Sequence, residues 1–250
     1  MRDSTTFQSP DRTIRRWTWV LTVPAALAVL VAAWGYGRFG GTFVEGLSGA
    51  QGEVLAKRAK ALAVSNDTMI ALATYKVALE KPFDNTQQRQ WARQEYAALL
   101  HASGQYDDAA SVLQACLVDF PDDLQTWSSL SGALAAGTRY GELAATAERW
   151  FATADRLGDS SHRALAKYYL GLAAEKQGDV DAALESYLAG VAIEPESLNA
   201  FHAAVLLHTK GDNAKAVELL DVYIPHATDW RLDAAKKLRT EARTPLPSAP

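Results

Sequence analysis

Residues able to do chemistry are few in this chain, and they are scattered. Gly35-Tyr36-Gly37-Arg38-Phe39-Gly40 has the Gly-x-Gly-x-x-Gly spacing that cradles a dinucleotide pyrophosphate when it joins a strand to a helix. An apolar stretch precedes it here instead of a strand, so the match is read as chance. The histidines are His101, His162, His202, His208 and His226. No two stand four apart, the spacing that would turn two imidazoles toward one metal from a helix face; each is read as a surface or groove residue. Asp107-Asp108 and Asp122-Asp123 are adjacent carboxylates. The first pair suits the positive N-terminal end of a helix, and the second can cap the helix that follows. An acid–base pair would instead need burial and opposed environments. Cys116 is the only cysteine, which rules out a disulfide within the chain and a cysteine-rich metal site. It is expected as a buried structural thiol. The residues therefore predict no enzyme, no cofactor, no metal and no small-molecule substrate.

Those side chains must be carried by helices. Of 250 residues, 48% are hydrophobic, and no run alternates Val, Ile or Thr with polar residues as a strand would. The net charge is −4 over the chain and −6 beyond residue 50, so no basic field draws nucleic acid. Lys57, Arg58 and Lys60 form one small basic cluster. It reads as a solvated helix face, with anionic lipid headgroups as the other reading.

A pattern recurs along the chain. Gly104-Gln105-Tyr106-x-x-Ala109 is followed by Pro121, and Gly178-Asp179-Val180-x-x-Ala183 by Pro195; Gly211-Asp212-Asn213-x-x-Ala216 is a weaker copy. From Gly178 to Gly211 is 33 residues, and from Gly104 to Gly178 is 74, room for a longer unit between. A period near 34 residues is the mark of stacked helical hairpins. Around these turns apolar residues follow helical spacing, giving pairs such as 91–102 with 106–120, 162–176 with 180–193, and 198–210 with 214–224.

These pairs resemble the tetratricopeptide repeat (TPR) family. The best copy reads Tyr96-Ala97-x-x-Leu100-x-x-x-Gly104-x-Tyr106-x-x-Ala109-x-x-x-Leu113-x-x-Cys116-x-x-x-x-Pro121. The next reads Leu170-Gly171-x-x-Ala174-x-x-x-Gly178-x-Val180-x-x-Ala183-x-x-x-Tyr187-x-x-Gly190-x-x-x-x-Pro195. The middle pair departs: Thr138 stands at the turn, Leu143 at the small packing position, and no proline follows Leu157. The resemblance implies an all-α fold, an α-solenoid of about five TPR-like hairpins over 52–230, closed by a capping helix at 231–242. It also implies a concave groove lined by the first helix of each pair. Carried over, the groove positions are Lys60; Trp91, Gln94 and His101; Tyr168, Leu172 and Glu175; and Phe201, Val205 and His208. Gln94 and Ala98, and Tyr168 and Leu172, replace the basic residue and asparagine with which some family members clamp a carboxylate, so an apolar, aromatic groove is expected. Trp91, Tyr168 and Phe201 either line it or pack between repeats.

The N-terminus carries a different signal. Residues 17–37 lie between Arg16 and Arg38 without a charge, and about 20 apolar residues at about 1.5 Å each cross a bilayer core. Trp17 and Trp19 at one end and Trp34 and Tyr36 at the other form the aromatic belts of a span, and Pro24 can kink it. Arg12, Arg15 and Arg16 outweigh Arg38, which orients residues 1–16 to the cytoplasm. Bulky residues after the apolar core argue against a cleaved leader. Seven glycines follow between 35 and 52, so 38–51 reads as a flexible linker or as a segment packed closely on a membrane partner. Residues 243–250 are a proline-rich tail. The expectation is a single-pass protein of a bacterial inner membrane, its repeats in the periplasm. It would assemble or hold other membrane or periplasmic proteins as a scaffold, or serve as a permanent accessory subunit of a respiratory or photosynthetic complex.

Overall fold

The computed structural model describes residues 51–228 and 230–244. The tail 1–16, the apolar segment 17–37 with Trp17, Trp19, Pro24, Trp34 and Tyr36, the glycine-rich stretch up to residue 50, and the end beyond 244 lie outside the described residues. Among the described residues there are eleven helices and no strand: α1 Gly52–Val64, α2 Thr68–Leu79, α3 Thr86–Ala102, α4 Tyr106–Asp119, α5 Leu124–Ala136, α6 Tyr140–Leu157, α7 Ser160–Lys176, α8 Val180–Ile193, α9 Leu198–Thr209, α10 Asn213–Tyr223 and α11 Arg231–Arg243. None of them is long and apolar enough to cross a membrane. Each helix packs on the next, and α1, α3, α5, α7 and α9 also touch in succession. The result is a solenoid of five hairpins whose odd helices line one face.

One local device sets the register of all five hairpins. The turn residue is left-handed in each: Asn66, Gly104, Thr138, Gly178 and Gly211 have φ of 65°, 76°, 59°, 86° and 84°. The next N–H then reaches back to the carbonyl five residues earlier, as in Asp67 to Leu62 at 3.0 Å and Arg139 to Leu134 at 2.9 Å. That satisfies a helix-end carbonyl that would otherwise be bare. Five residues past each turn stands a fully buried side chain, Ala71, Ala109, Leu143, Ala183 or Ala216, each 0% exposed. Seven before it stands Ala59, Ala97, Ser131, Gly171 or Ala204, each buried. Small side chains at these crossings let helix axes approach closely.

The middle hairpin obeys the register despite its sequence. Thr138 adopts the left-handed turn that glycine takes elsewhere, a strained choice for a β-branched residue. At the seam after α6, left-handed Gly158 (φ 72°) and the Asp159 to Ala154 hydrogen bond of 2.9 Å end the helix, where other seams use proline. The chain then restarts at once, with the Asp159 carboxylate accepting from the His162 N–H. That bond is the first reason the Asp159 carboxyl is held below its usual range. Beyond α10, α11 buries Ala235 and Ala242, and its Arg239 and Arg243 pair with Asp221 at 3.0 and 2.7 Å.

Candidate functional site: the concave face

The odd helices bring the groove positions to one face, but they do not give them one environment. At the N-terminal end, Lys60 Nζ lies 2.6 Å from Glu95 Oε1 and 5.4 Å above the ring of half-buried Trp91. Lys60 and Trp91 line an open groove of about 870 Å³ between α1 and α3, together with Lys57, Gln87 and Gln88. Gln94 points across the next seam. Its Nε2 donates to Asp123 Oδ2 at 2.7 Å and to Thr126 Oγ1 at 2.9 Å, and Gln90 donates to the same carboxylate at 2.6 Å. The other Asp123 oxygen caps α5 by accepting from the Gln125 and Thr126 N–H groups, as the Asp122-Asp123 spacing suggests.

The centre of the face is a trough of about 330 Å³ lined by Gln94, Ala98, His101, Ser128, Ser129, Gly132 and Tyr169. His101 is exposed, its ring edge-on to Tyr106 at 5.2 Å between centroids. The floor is made of small side chains of α5, and a Cβ at Gly132 would meet only the Tyr169 hydroxyl, at 3.6 Å. The sequence predicts an apolar and aromatic groove; the middle of the face sets Ala97, Ala98, Leu113 and Gly132 beside the polar tips of Gln94, His101, Ser128, Ser129 and Tyr169.

The C-terminal third is where the aromatic residues gather, and there they fill space. Tyr168 lies 5.1 Å from Tyr169, 5.1 Å from His202 and 6.2 Å from Tyr187. Phe201 lies 5.4 Å from His202 and 5.7 Å from Tyr223. Glu175 accepts a 2.8 Å hydrogen bond from the Tyr187 hydroxyl. Burial first, and that carboxylate second, push the Tyr187 phenol far above its usual range. His202 is held below its ordinary value by burial, against the pull of Glu175 and with Arg231 and Lys176 acting the same way as burial. Leu172 and Val205 are half-buried. His208 stands apart, its Nδ1 2.7 Å from Asn213 Oδ1 at the turn into α10.

The structure therefore joins Lys60 with Trp91, Gln94 with His101, and Tyr168 with Glu175 and Phe201. Sequence reasoning missed Ser128, Ser129, Gly132 and Tyr169, and read His202 only as a surface or groove residue. A signal existed: counting back from Thr138 in the register that Gly104 and Gly178 set puts Ser128, Ser129 and Gly132 on the concave side. Cys116 is fully buried, and burial pushes its thiol up to about 11, which keeps it a thiol. Among the described residues no cluster of three or more His, Cys, Asp or Glu is placed to hold a metal.

The repeat register and the stacked hairpins meet their counterparts in known proteins. Residues 90–133, from within α3 to within α5, match the sequence model of the tetratricopeptide repeat. This is a tetratricopeptide-repeat fold. No curated protein matches the chain. Among solved structures, residues 41 to the end of MamA from Desulfovibrio magneticus RS-1 superpose with a TM-score of 0.55 at 16% identity, over 78% of this chain and 99% of that one. PilF of Pseudomonas aeruginosa gives 0.54 at 13%, over 76% and 88%. YrrB, described as a TPR protein with an unusual peptide-binding site, gives 0.50 at 21%, over 73% and 90%. At such identities the likeness concerns the repeat fold alone.

Proposed function

We propose that this chain is a non-enzymatic scaffold that holds a segment of another protein in its concave trough. The trough between α3, α5 and α7 carries the reading. Ala98, Ser128, Ser129 and Gly132 leave a channel at the centre of the solenoid, and Gln94, His101 and Tyr169 stand along it with hydrogen-bonding tips. An extended peptide fits such a place, because its backbone needs close approach and a few polar partners. YrrB's peptide-binding site supports the same use of this fold. Filling the floor tests it: a Cβ at Gly132 meets only a hydroxyl, at 3.6 Å, and the longer side chain of Gly132→Leu should abolish partner recovery while the urea midpoint shows that the chain still folds. Unchanged recovery would place the partner elsewhere.

The finer reading adds an address. Residues 17–37 would anchor the chain in a bacterial inner membrane, with residues 1–16 cytoplasmic and the repeats periplasmic, where the partners would be membrane or periplasmic proteins. The uncharged stretch between Arg16 and Arg38 supports this. Protease added to spheroplasts should remove the repeats, and full protection would overturn the orientation. A second reading, a permanent accessory subunit of a large membrane complex, is favoured by apolar side chains on the even helices: Val118 is 82% exposed and Val222 44%. A partner retained at fixed stoichiometry through gel filtration in mild detergent would select it.

A further inference from the structure

Helix α5 divides two surfaces. Ser128, Ser129 and Gly132 floor the trough on one side of it. Trp127 and Leu130, three residues apart, project from the other side. There a second depression opens, a cleft of about 300 Å³ between α4 and α6, which both pack on α5. Leu117 and Val118 come to it from α4, and Thr146 and Arg149 from α6. Leu117, Trp127 and Leu130 are buried and make an apolar floor, while Val118 beside them is 82% exposed. The Trp127 indole is fixed in place, its Nε1 donating to the Pro121 carbonyl at 2.8 Å. A closed cavity of about 150 Å³ holds a benzene ring, so the cleft has room for a large apolar side chain.

The charge at this cleft is not balanced. The Arg149 guanidinium lies 5.1 Å from the centre of the Trp127 ring, where the negative face of the indole attracts it. Among the described residues it meets no carboxylate. Neighbouring arginines do: Arg93 meets Asp119, Arg139 meets Asp107, Arg156 meets Asp122 and Arg163 meets Asp155. Asp119 and Asp122, the acids that follow Val118 in sequence, are therefore already taken. Glu148 adjoins Arg149 but stands ten residues past its turn residue, as Gln114 does on α4. Gln114 faces this cleft from the N-terminal side, so Glu148 faces the next seam instead. What remains is an apolar floor beside one uncompensated positive charge, built on Trp and Arg, the residue types on which binding energy concentrates at protein interfaces.

We propose that this cleft is a second docking site, which takes a segment of another protein carrying an aliphatic or aromatic side chain beside an Asp or Glu. The apolar side chain fills the cleft against Val118 and Trp127. The carboxylate pairs with Arg149, more strongly as the partner excludes water, and a basic residue in its place is repelled. The site does not depend on the trough. Helix α5 keeps the two apart, so one copy of the chain can hold two partners at once.

A phage-displayed library of random dodecapeptides, panned on the full-length chain in mild detergent, tests this. Peptides with Asp or Glu next to Leu, Ile, Phe or Trp should be enriched. Fluorescent copies of them should bind roughly tenfold more weakly to Arg149→Glu and to Val118→Asp. Both side chains are exposed, and an unchanged urea midpoint should show that both variants fold. Replacing the peptide's acid by lysine should move its preference from the parent chain to Arg149→Glu. Gly132→Leu, which fills the trough, should leave these peptides bound. Enriched peptides that lack an acid, or that are all indifferent to Arg149→Glu, would overturn the proposal. Binding lost on Gly132→Leu and not on Arg149→Glu would overturn it while leaving the trough reading in place. A concentration-dependent dimer that Val118→Asp abolishes would overturn it as well, since the occupant would then be a second copy.

Discussion

The centre of the solenoid and its C-terminal third use the same hairpin for opposite ends. Around α5, repeats are joined at their rims by polar contacts: Gln90 and Gln94 on Asp123, and Arg156 on Asp122. The floor between those contacts is left shallow by Ser128, Ser129 and Gly132. Around α8 the repeats are joined through their middle. The Tyr187 ring fills the space beside Gly171 of its own hairpin, where a Cβ would come within 2.5 Å of it, and meets His202 of the next hairpin at 5.2 Å, while the Asn199 amide fills the space beside Gly190 at 2.3 Å. Asn199 also ties α9 back to α7 by donating to the Ala164 carbonyl at 2.9 Å. Rim joints leave a channel for a partner, and ring-filled joints give that space to stability.

Tyr187→Ala should break this contrast most severely. It empties a fully buried aromatic site, so about 3–5 kcal/mol of stability should be lost in urea titration. The two helical glycines sharpen it next. Gly171→Ala drives a methyl into a ring that cannot retreat and should cost about 1–3 kcal/mol. Gly132→Ala makes only an ordinary contact, with the Tyr169 hydroxyl at 3.6 Å, and should gain about 0.5–1 kcal/mol through helix propensity. Equal effects at both sites would erase the distinction between the regions.

Acid should loosen the C-terminal third first. The fold holds the His202 pKa below its ordinary value near 6.5. The neutral ring's contribution is therefore complete above that value, and it is lost as pH falls below it toward the folded pKa. The urea midpoint should drop more between pH 7.5 and 5.5 in the parent chain than in His202→Gln. The smallest effect belongs to the rim. Arg156 and Asp122 are both more than half exposed, so Arg156→Ala should change stability by less than about 0.5 kcal/mol, and less still in high salt.

Much of the fold was legible because turns and crossings need particular residues. Gly104, Gly178 and Gly211 mark left-handed turns that glycine adopts freely, and Ala109, Ala183 and Ala216 mark close crossings. The middle hairpin was harder to read because Thr138 and Leu143 fill the same positions under strain and greater bulk, held there by neighbouring repeats. Asn66 hid the first turn in the same way. The face was legible by position but not by role. Spacing alone does not say that Gln94 turns to Asp123, or that Tyr168 spends its ring on Tyr169, Tyr187 and His202. Asp123 and His202 lie in the hairpin after the residues they meet, Tyr169 and Tyr187 in the same hairpin as Tyr168, and only packing decides among them.

The central claim is that the trough over α5 receives a protein segment. Photo-crosslinking from a benzoyl-phenylalanine placed at Ser129, on the trough floor, tests it most directly in membranes of the cell that makes the chain. Ser111 on α4, away from the trough, serves as the paired position. A discrete adduct from 129 that Gly132→Leu removes, with none from 111, is the predicted result. An adduct from 111 alone, or one from 129 indifferent to Gly132→Leu, would contradict it.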